Sequence, residues 1–121
     1  MTVNEAIEAA DELRPNTIPK QQKLKWLNDL ERRIYNEIYL THEHEDIPFT
    51  DFDSFADDTG LFSPPPYDEL YILRLCAMTD FYNAEYDRYN NDIKLLDSLY
   101  TAFARLWHAH HAPASKQVIN R

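Results

Sequence analysis

This chain contains one glycine, Gly60, among its 121 residues. Two-residue hairpins and bulges depend on residues that accept a positive φ, glycine above all. A sheet protein of this size needs several such positions. The glycine poverty therefore predicts helices, and at this length a single domain. Hydrophobic residues make up 44% of the chain, enough to fill one modest core. Eight Tyr and six Phe place it well outside the composition of a disordered segment.

Helical spacing runs through most of the sequence. Val3, Ala6, Ile7, Ala10 and Leu13 form one apolar stripe, and Thr2 with Glu5 has the spacing of a capping box. These residues predict a short first helix over 2–13, which Pro15 stops. A second helix is predicted over 19–39, opened by Pro19. Its stripe is Leu24, Leu27, Leu30, Ile34 and Ile38, with Trp26 and Tyr35 alongside. That helix would be about 30 Å long.

Residues 41–66 break the pattern. Glu43, Glu45, Asp46, Asp51, Asp53, Asp57 and Asp58 give this segment seven acids and no Lys or Arg. Phe49, Phe52, Phe55 and Phe62 are spaced among them, and Pro64, Pro65 and Pro66 close it. A loop this long inside a compact domain usually has a function of its own.

A third helix is predicted from Pro66 or Tyr67, with Asp68 and Glu69 in the first turn, where acids suit the helix dipole. From Leu70 to Met78 it is apolar almost all round, which marks a buried centre. Phe81, Tyr82, Tyr86 and Tyr89 extend its stripe. Asn90, Asn91 and Asp92 favour caps and turns, so the break to a fourth helix over 93–109 is predicted there. One long helix over 66–110 is the alternative. The fourth seam is Ile93, Leu96, Leu99, Tyr100, Phe103, Leu106 and Trp107. The expected architecture is all-α: a small bundle of three long helices plus a short N-terminal one. It would form a domain over 1–112, with a long acidic loop at 41–66 and a flexible C-terminal tail over 113–121.

The chemistry of the sequence argues against catalysis. With one glycine, phosphate-binding loops and dinucleotide fingerprints are absent. There is no Gly-x-Ser-x-Gly elbow. Cys76 lies in an apolar stretch and reads as a small buried hydrophobe. Alone, it allows no disulfide framework within the chain. Asp51 to Asp57 resembles the start of a calcium loop, but Ala56 stands where that loop needs glycine. His108 and His111 have the spacing of two zinc ligands on one helix face, yet no Cys or further motif joins them. Histidines near a helix C-terminus also interact favourably with its dipole. The expectation is no enzyme, no metal and no cofactor.

A net charge of −9 opposes binding to nucleic acid or to an anionic membrane surface. No apolar run reaches membrane-spanning length, and the N-terminal residues lack the pattern of a signal peptide.

Binding features stand out more. Lys20, Lys23 and Lys25 crowd the start of the second helix, against its dipole. Asp46, Asp51, Asp53, Asp57 and Asp58 carry the opposite sign in the loop. Ordinary surface scatter is one explanation. The other is that the two patches meet on different copies, as a head-to-tail contact that closes into rings or runs into fibres. Phe49, Phe52, Phe55 and Phe62 can fold down locally or dock into a neighbour. The tail embeds Val118 and Ile119 between Lys116 and Arg121.

Four stretches then acquire a joint meaning: Glu8-Ala9-Ala10-Asp11-Glu12-Leu13-Arg14-Pro15-Asn16, Trp26-Leu27-Asn28-Asp29-Leu30-Glu31-Arg32-Arg33-Ile34-Tyr35, Pro66-Tyr67-Asp68-Glu69-Leu70-Tyr71, and Phe81-Tyr82-Asn83-Ala84-Glu85-Tyr86-Asp87-Arg88-Tyr89-Asn90-Asn91. In this order they resemble small proteins encoded beside capsid genes in tailed phages and prophages of Gram-positive bacteria. Those look like head–tail connector, or adaptor, proteins. The resemblance spans most of the chain, and its motifs are structural. It implies a helical subunit that forms a homo-oligomeric ring beneath the portal protein, with DNA only passing through the lumen. It also implies that residues 43–62 and 115–121 contact the portal or the next head-completion protein. Such a subunit would assemble in the host cytoplasm and end at the virion head–tail junction. The His-rich end, His108 to His111, departs from that family pattern. A small helical module that regulates a host protein is the alternative function.

Overall fold

A computed structural model describes residues 1–50 and 58–114. Helix α1 spans Val3–Leu13. Its capping box forms as the spacing predicts: Glu5 N–H donates to Thr2 Oγ1 over 3.1 Å, and Thr2 N–H donates to Glu5 Oε1 over 2.8 Å. Val3, Ala6, Ile7 and Ala10 are buried, whereas Leu13 at the end of the stripe is exposed.

Helix α2 spans Lys20–Ile34 and continues without interruption as a π-helical turn over Tyr35–Tyr39. Leu40 N–H donates to Tyr35 O over 2.9 Å, the wider i to i+5 bond of that turn. The predicted stripe of Leu24, Leu27, Leu30, Ile34 and Ile38 is buried throughout, with Trp26.

Helix α3 spans Glu69–Tyr82, and α4 spans Tyr86–His110. The helices alternate in direction. The Met1 amino nitrogen lies 3.8 Å from Asp68 at the start of α3, and Arg14, just past α1, reaches Asp80 near the end of α3. So α1 and α3 run the same way. Helix α2 runs against them: Arg74 donates to Trp26 O over 3.2 Å, while Tyr71 reaches Glu31. Helix α4 turns back along α3. Helix α3 packs against all three others, so nearly every side of it needs apolar residues. Leu70, Tyr71, Ile72, Leu75, Cys76 and Ala77 supply them.

The break between the last two helices differs from the expected place. It falls at residues 83–85, not at Asn90, Asn91 and Asp92, which lie inside α4. The α3 end is a Schellman closure. Glu85 N–H donates to Asp80 O over 2.7 Å and Ala84 N–H to Phe81 O over 3.1 Å. The residue at its left-handed position is Ala84, with φ 58°. Glycine normally marks that position, and here the mark is missing. Gly60, by contrast, has no positive φ, and a Cβ there would meet nothing within 4 Å.

Gly60 pairs with Thr2 in an isolated antiparallel bridge. Val3 N–H donates to Thr59 O and Leu61 N–H to Met1 O, each over 2.9 Å. The loop thus returns along the start of α1 before α3 begins. The bundle has two ends. One holds the α3–α4 corner and the start of α2. The other holds the loop, the π-turn and the end of α4.

Candidate interaction surfaces

At the loop end, the side chains of the π-turn hold the chain that follows. The Tyr35 hydroxyl donates to Ile47 O, and the Tyr39 hydroxyl donates to Glu45 O over 2.9 Å. Tyr35 and Tyr39 stack at 5.4 Å, and Phe49 tilts onto Tyr35 at 5.6 Å. The Arg32 guanidinium lies 4.6 Å above the Phe49 ring. These rings, with Ile34, Ile47 and Phe62, wall a half-open apolar groove of about 320 Å³.

Glu31 also lines the groove, and both of its carboxylate oxygens are engaged. Oε1 accepts from the Tyr71 hydroxyl over 2.7 Å, and Oε2 accepts from Phe62 N–H over 2.8 Å. Burial pushes the Glu31 carboxyl above its ordinary value, and the two hydrogen bonds pull the other way. With both acceptors filled, Glu31 fastens the loop to the core.

The predicted binding residues divide. Asp46 and Asp58 are exposed, and Phe49 is half-buried. Phe62 turns inward, at 4.8 Å from the Trp107 ring and 6.2 Å from Phe103. It belongs to the chain's own packing. Asp51, Phe52, Asp53, Phe55 and Asp57 lie outside the described residues, as do Lys116, Val118, Ile119 and Arg121.

The basic cluster does not form as expected. Lys23 is buried, with Nζ 2.8 Å from Asp11 Oδ1 and 3.1 Å from Oδ2. It joins α2 to α1 within the chain. Lys20 and Lys25 are exposed, and Lys25 lies 4.0 Å from Asp29.

The start of the expected tail is tied down. Glu43 N–H donates to Ala112 O over 2.7 Å, and Ala114 N–H donates to Thr41 O over 2.9 Å. Ala114, past the expected boundary at 112, is therefore hydrogen-bonded to the body.

The histidines pair differently from the helical spacing. His111 stacks on Trp107 with centroids 3.8 Å apart, and its Nδ1 lies 3.0 Å from Trp107 O. His108 faces buried His42, with His108 Nδ1 and His42 Nε2 3.3 Å apart. The His42 Nδ1–H donates to Ile38 O over 2.7 Å, which leaves Nε2 to accept from His108. Among the described residues no group of three or more His, Cys, Asp or Glu is set to hold a metal ion. Cys76 is buried, and burial pushes its thiol up to about 11.

The other end carries a surface that the sequence reading absorbed into the core. Phe81, Tyr82 and Tyr86 are 50%, 61% and 56% exposed. Phe81 packs against Tyr86 at 5.7 Å and Tyr89 at 5.1 Å, and Tyr82 meets Trp26 edge-on at 6.4 Å. The corner thus carries two groups of rings, Phe81 with Tyr86 and Tyr89, and Tyr82 with Trp26. The signal was the helix break: once α3 stops at Tyr82, these rings sit on a corner, not along a buried stripe.

Among the described residues, no helix is long and apolar enough to cross a membrane. No protein-family model matches the chain, and no curated protein or solved structure is measurably similar to it.

Proposed function

We propose that the chain is a head–tail connector (adaptor) subunit of a tailed phage or prophage, which joins copies of itself and the portal ring. The observation that carries this reading is the exposed aromatic corner of Phe81, Tyr82 and Tyr86. Clustered exposed aromatics are typical of surfaces that a partner covers. The opposite end presents exposed Glu43, Glu45, Asp46 and Asp58, and also an apolar groove. Unlike surfaces on one subunit favour head-to-tail contacts, and such contacts close into rings when the rotation allows. The four stretches that resemble connector proteins support the same reading.

The net charge of −9 fits a ring through which DNA passes without being gripped. In this reading the portal and the next head-completion protein are the partners. Assembly takes place in the host cytoplasm, and the finished position is the virion head–tail junction.

The test is co-elution of the purified chain with the portal protein of its own genomic neighbourhood, together with mass spectrometry of purified virions. A connector subunit elutes with portal and is found in virions. If it never co-elutes and virions lack it, the reading fails. Capture of a single host protein at fixed stoichiometry would then favour a regulatory module.

A further inference from the structure

The α3–α4 corner is held by a buried charge arrangement that contains one carboxyl too many. Arg14 Nε lies 3.1 Å from each oxygen of Asp80, and Nη2 lies 3.4 Å from Asp92 Oδ1. The Asp80 side chain is 3% exposed and that of Asp92 8%. Two buried carboxyls therefore face one guanidinium. Asp92 Oδ2 is buried without a hydrogen-bond partner. As part of an anion, that oxygen would be stripped of water and left unpaired, an arrangement that proteins avoid.

The surroundings offer little further positive charge. From α1, Asp11 is engaged by Lys23 of α2. From α3, Cys76 is a neutral thiol beside Arg14. From α4, Arg88 acts on Asp92 only as a weaker attraction than Arg14.

We propose that Asp80 and Asp92 form a proton-binding site, in which one proton on Asp92 Oδ2 is donated to Asp80 and holds α1, α3 and α4 together at this corner. The proton turns the orphaned acceptor into a donor. It also leaves one negative charge opposite the one positive charge of Arg14. The Asp92 carboxyl is accordingly pushed up to about 7, by burial first and then by the neighbouring Asp80 carboxyl. Because the two acids interact, the proton belongs to the pair.

The sign of the pH dependence follows. A carboxyl raised in the folded state contributes stability in full below its unfolded value. That contribution falls as pH rises toward the folded value near 7 and is gone above it. The corner affected is the one that carries the exposed aromatics. Asp80 directly precedes Phe81, and its carbonyl oxygen closes the α3 end by accepting from Glu85. Proton release therefore loosens the base on which that surface is built. This inference stands whether or not the connector reading does.

Two measurements on the full chain test it. The first is the carboxyl ¹³C shift of Asp92 against pH in the wild-type protein. A midpoint near neutrality is expected, and a midpoint in the ordinary carboxylate range overturns the proposal. The second compares wild type with Asp92→Asn, which keeps the shape and carries a permanent donor. Relative to the variant, the wild-type unfolding constant should rise about ten-fold per pH unit between the ordinary carboxylate range and neutrality, then level off. Parallel stability profiles for the two proteins overturn it as well. Should the variant fail to fold, the wild-type titration alone decides.

Discussion

The Tyr71 hydroxyl donates to Glu31 Oε1 over 2.7 Å while accepting Ser63 N–H over 2.9 Å. This pair ties α3 to α2 and fastens the returning loop to both. Burial, and then the Glu31 charge, push the Tyr71 phenol up from its ordinary value, so it stays a donor. Tyr71→Phe removes that donor and leaves the buried Ser63 N–H without its acceptor. The expected loss is about 1–3 kcal/mol in urea unfolding. Glu31→Gln should cost a similar amount, because its amide can accept from only one of the two donors that Glu31 now serves.

Lys23 and Asp11 give a second, opposite expectation. Lys23→Met replaces a buried ammonium by an apolar chain of similar length and should change stability by less than about 1 kcal/mol. Asp11→Ala leaves the ammonium buried without its anion. Because Asp11 is partly exposed, the cost is discounted to about 1–2 kcal/mol. Thermal unfolding of the two variants checks the order. An interface lysine would instead show its effect in binding, with stability untouched.

Ala84 holds a left-handed conformation at φ 58°, where a Cβ is penalised. Ala84→Gly relieves that strain and should stabilise the protein by about 0.5–1 kcal/mol, after the greater freedom of glycine in the unfolded chain is subtracted. A raised melting temperature with an unchanged circular dichroism spectrum is the expected result.

The aromatic corner supplies the prediction most directly linked to function. Tyr82→Ser combined with Tyr86→Ser removes exposed rings and should alter stability by about 1 kcal/mol or less. On the proposed connector role, association with portal, read by light scattering or co-elution, should weaken about ten-fold or more. Equal losses of stability and of association would show that these rings serve the fold.

Much of the helical architecture could be read from local pattern. The stripe of α2, the capping box at Thr2 and the all-round apolar character of α3 each depend on residues within a few turns of one another. Periodicity is a property of neighbours in sequence, so these elements were visible there. The Ala84 corner was not, because its closing hydrogen bonds are those of a glycine-type cap without the glycine. Asn90, Asn91 and Asp92 carried a stronger turn signal and drew the expected boundary to themselves.

The interaction surfaces were less legible than the helices. Phe49 and Phe62 share a loop, yet Phe62 became core because Trp107 and Phe103 lie beside it. Lys23 looked like part of a basic patch until the packing of α1 against α2 enclosed it with Asp11. His108 and His111 have the spacing of one helix face, but the return of the chain at Thr41 set His108 opposite His42.

The sequence by itself determined the helices, their buried stripes and the all-α class, because the hydrogen bonds and side-chain periodicity of a helix are satisfied within a single segment. Only the tertiary structure decided which charged groups left the solvent. Arg14 meets Asp80 and Asp92 across separations of 66 and 78 residues. No local pattern encodes such a meeting: it exists only once three helices have been packed, and the energy of a buried charge depends on everything packed around it.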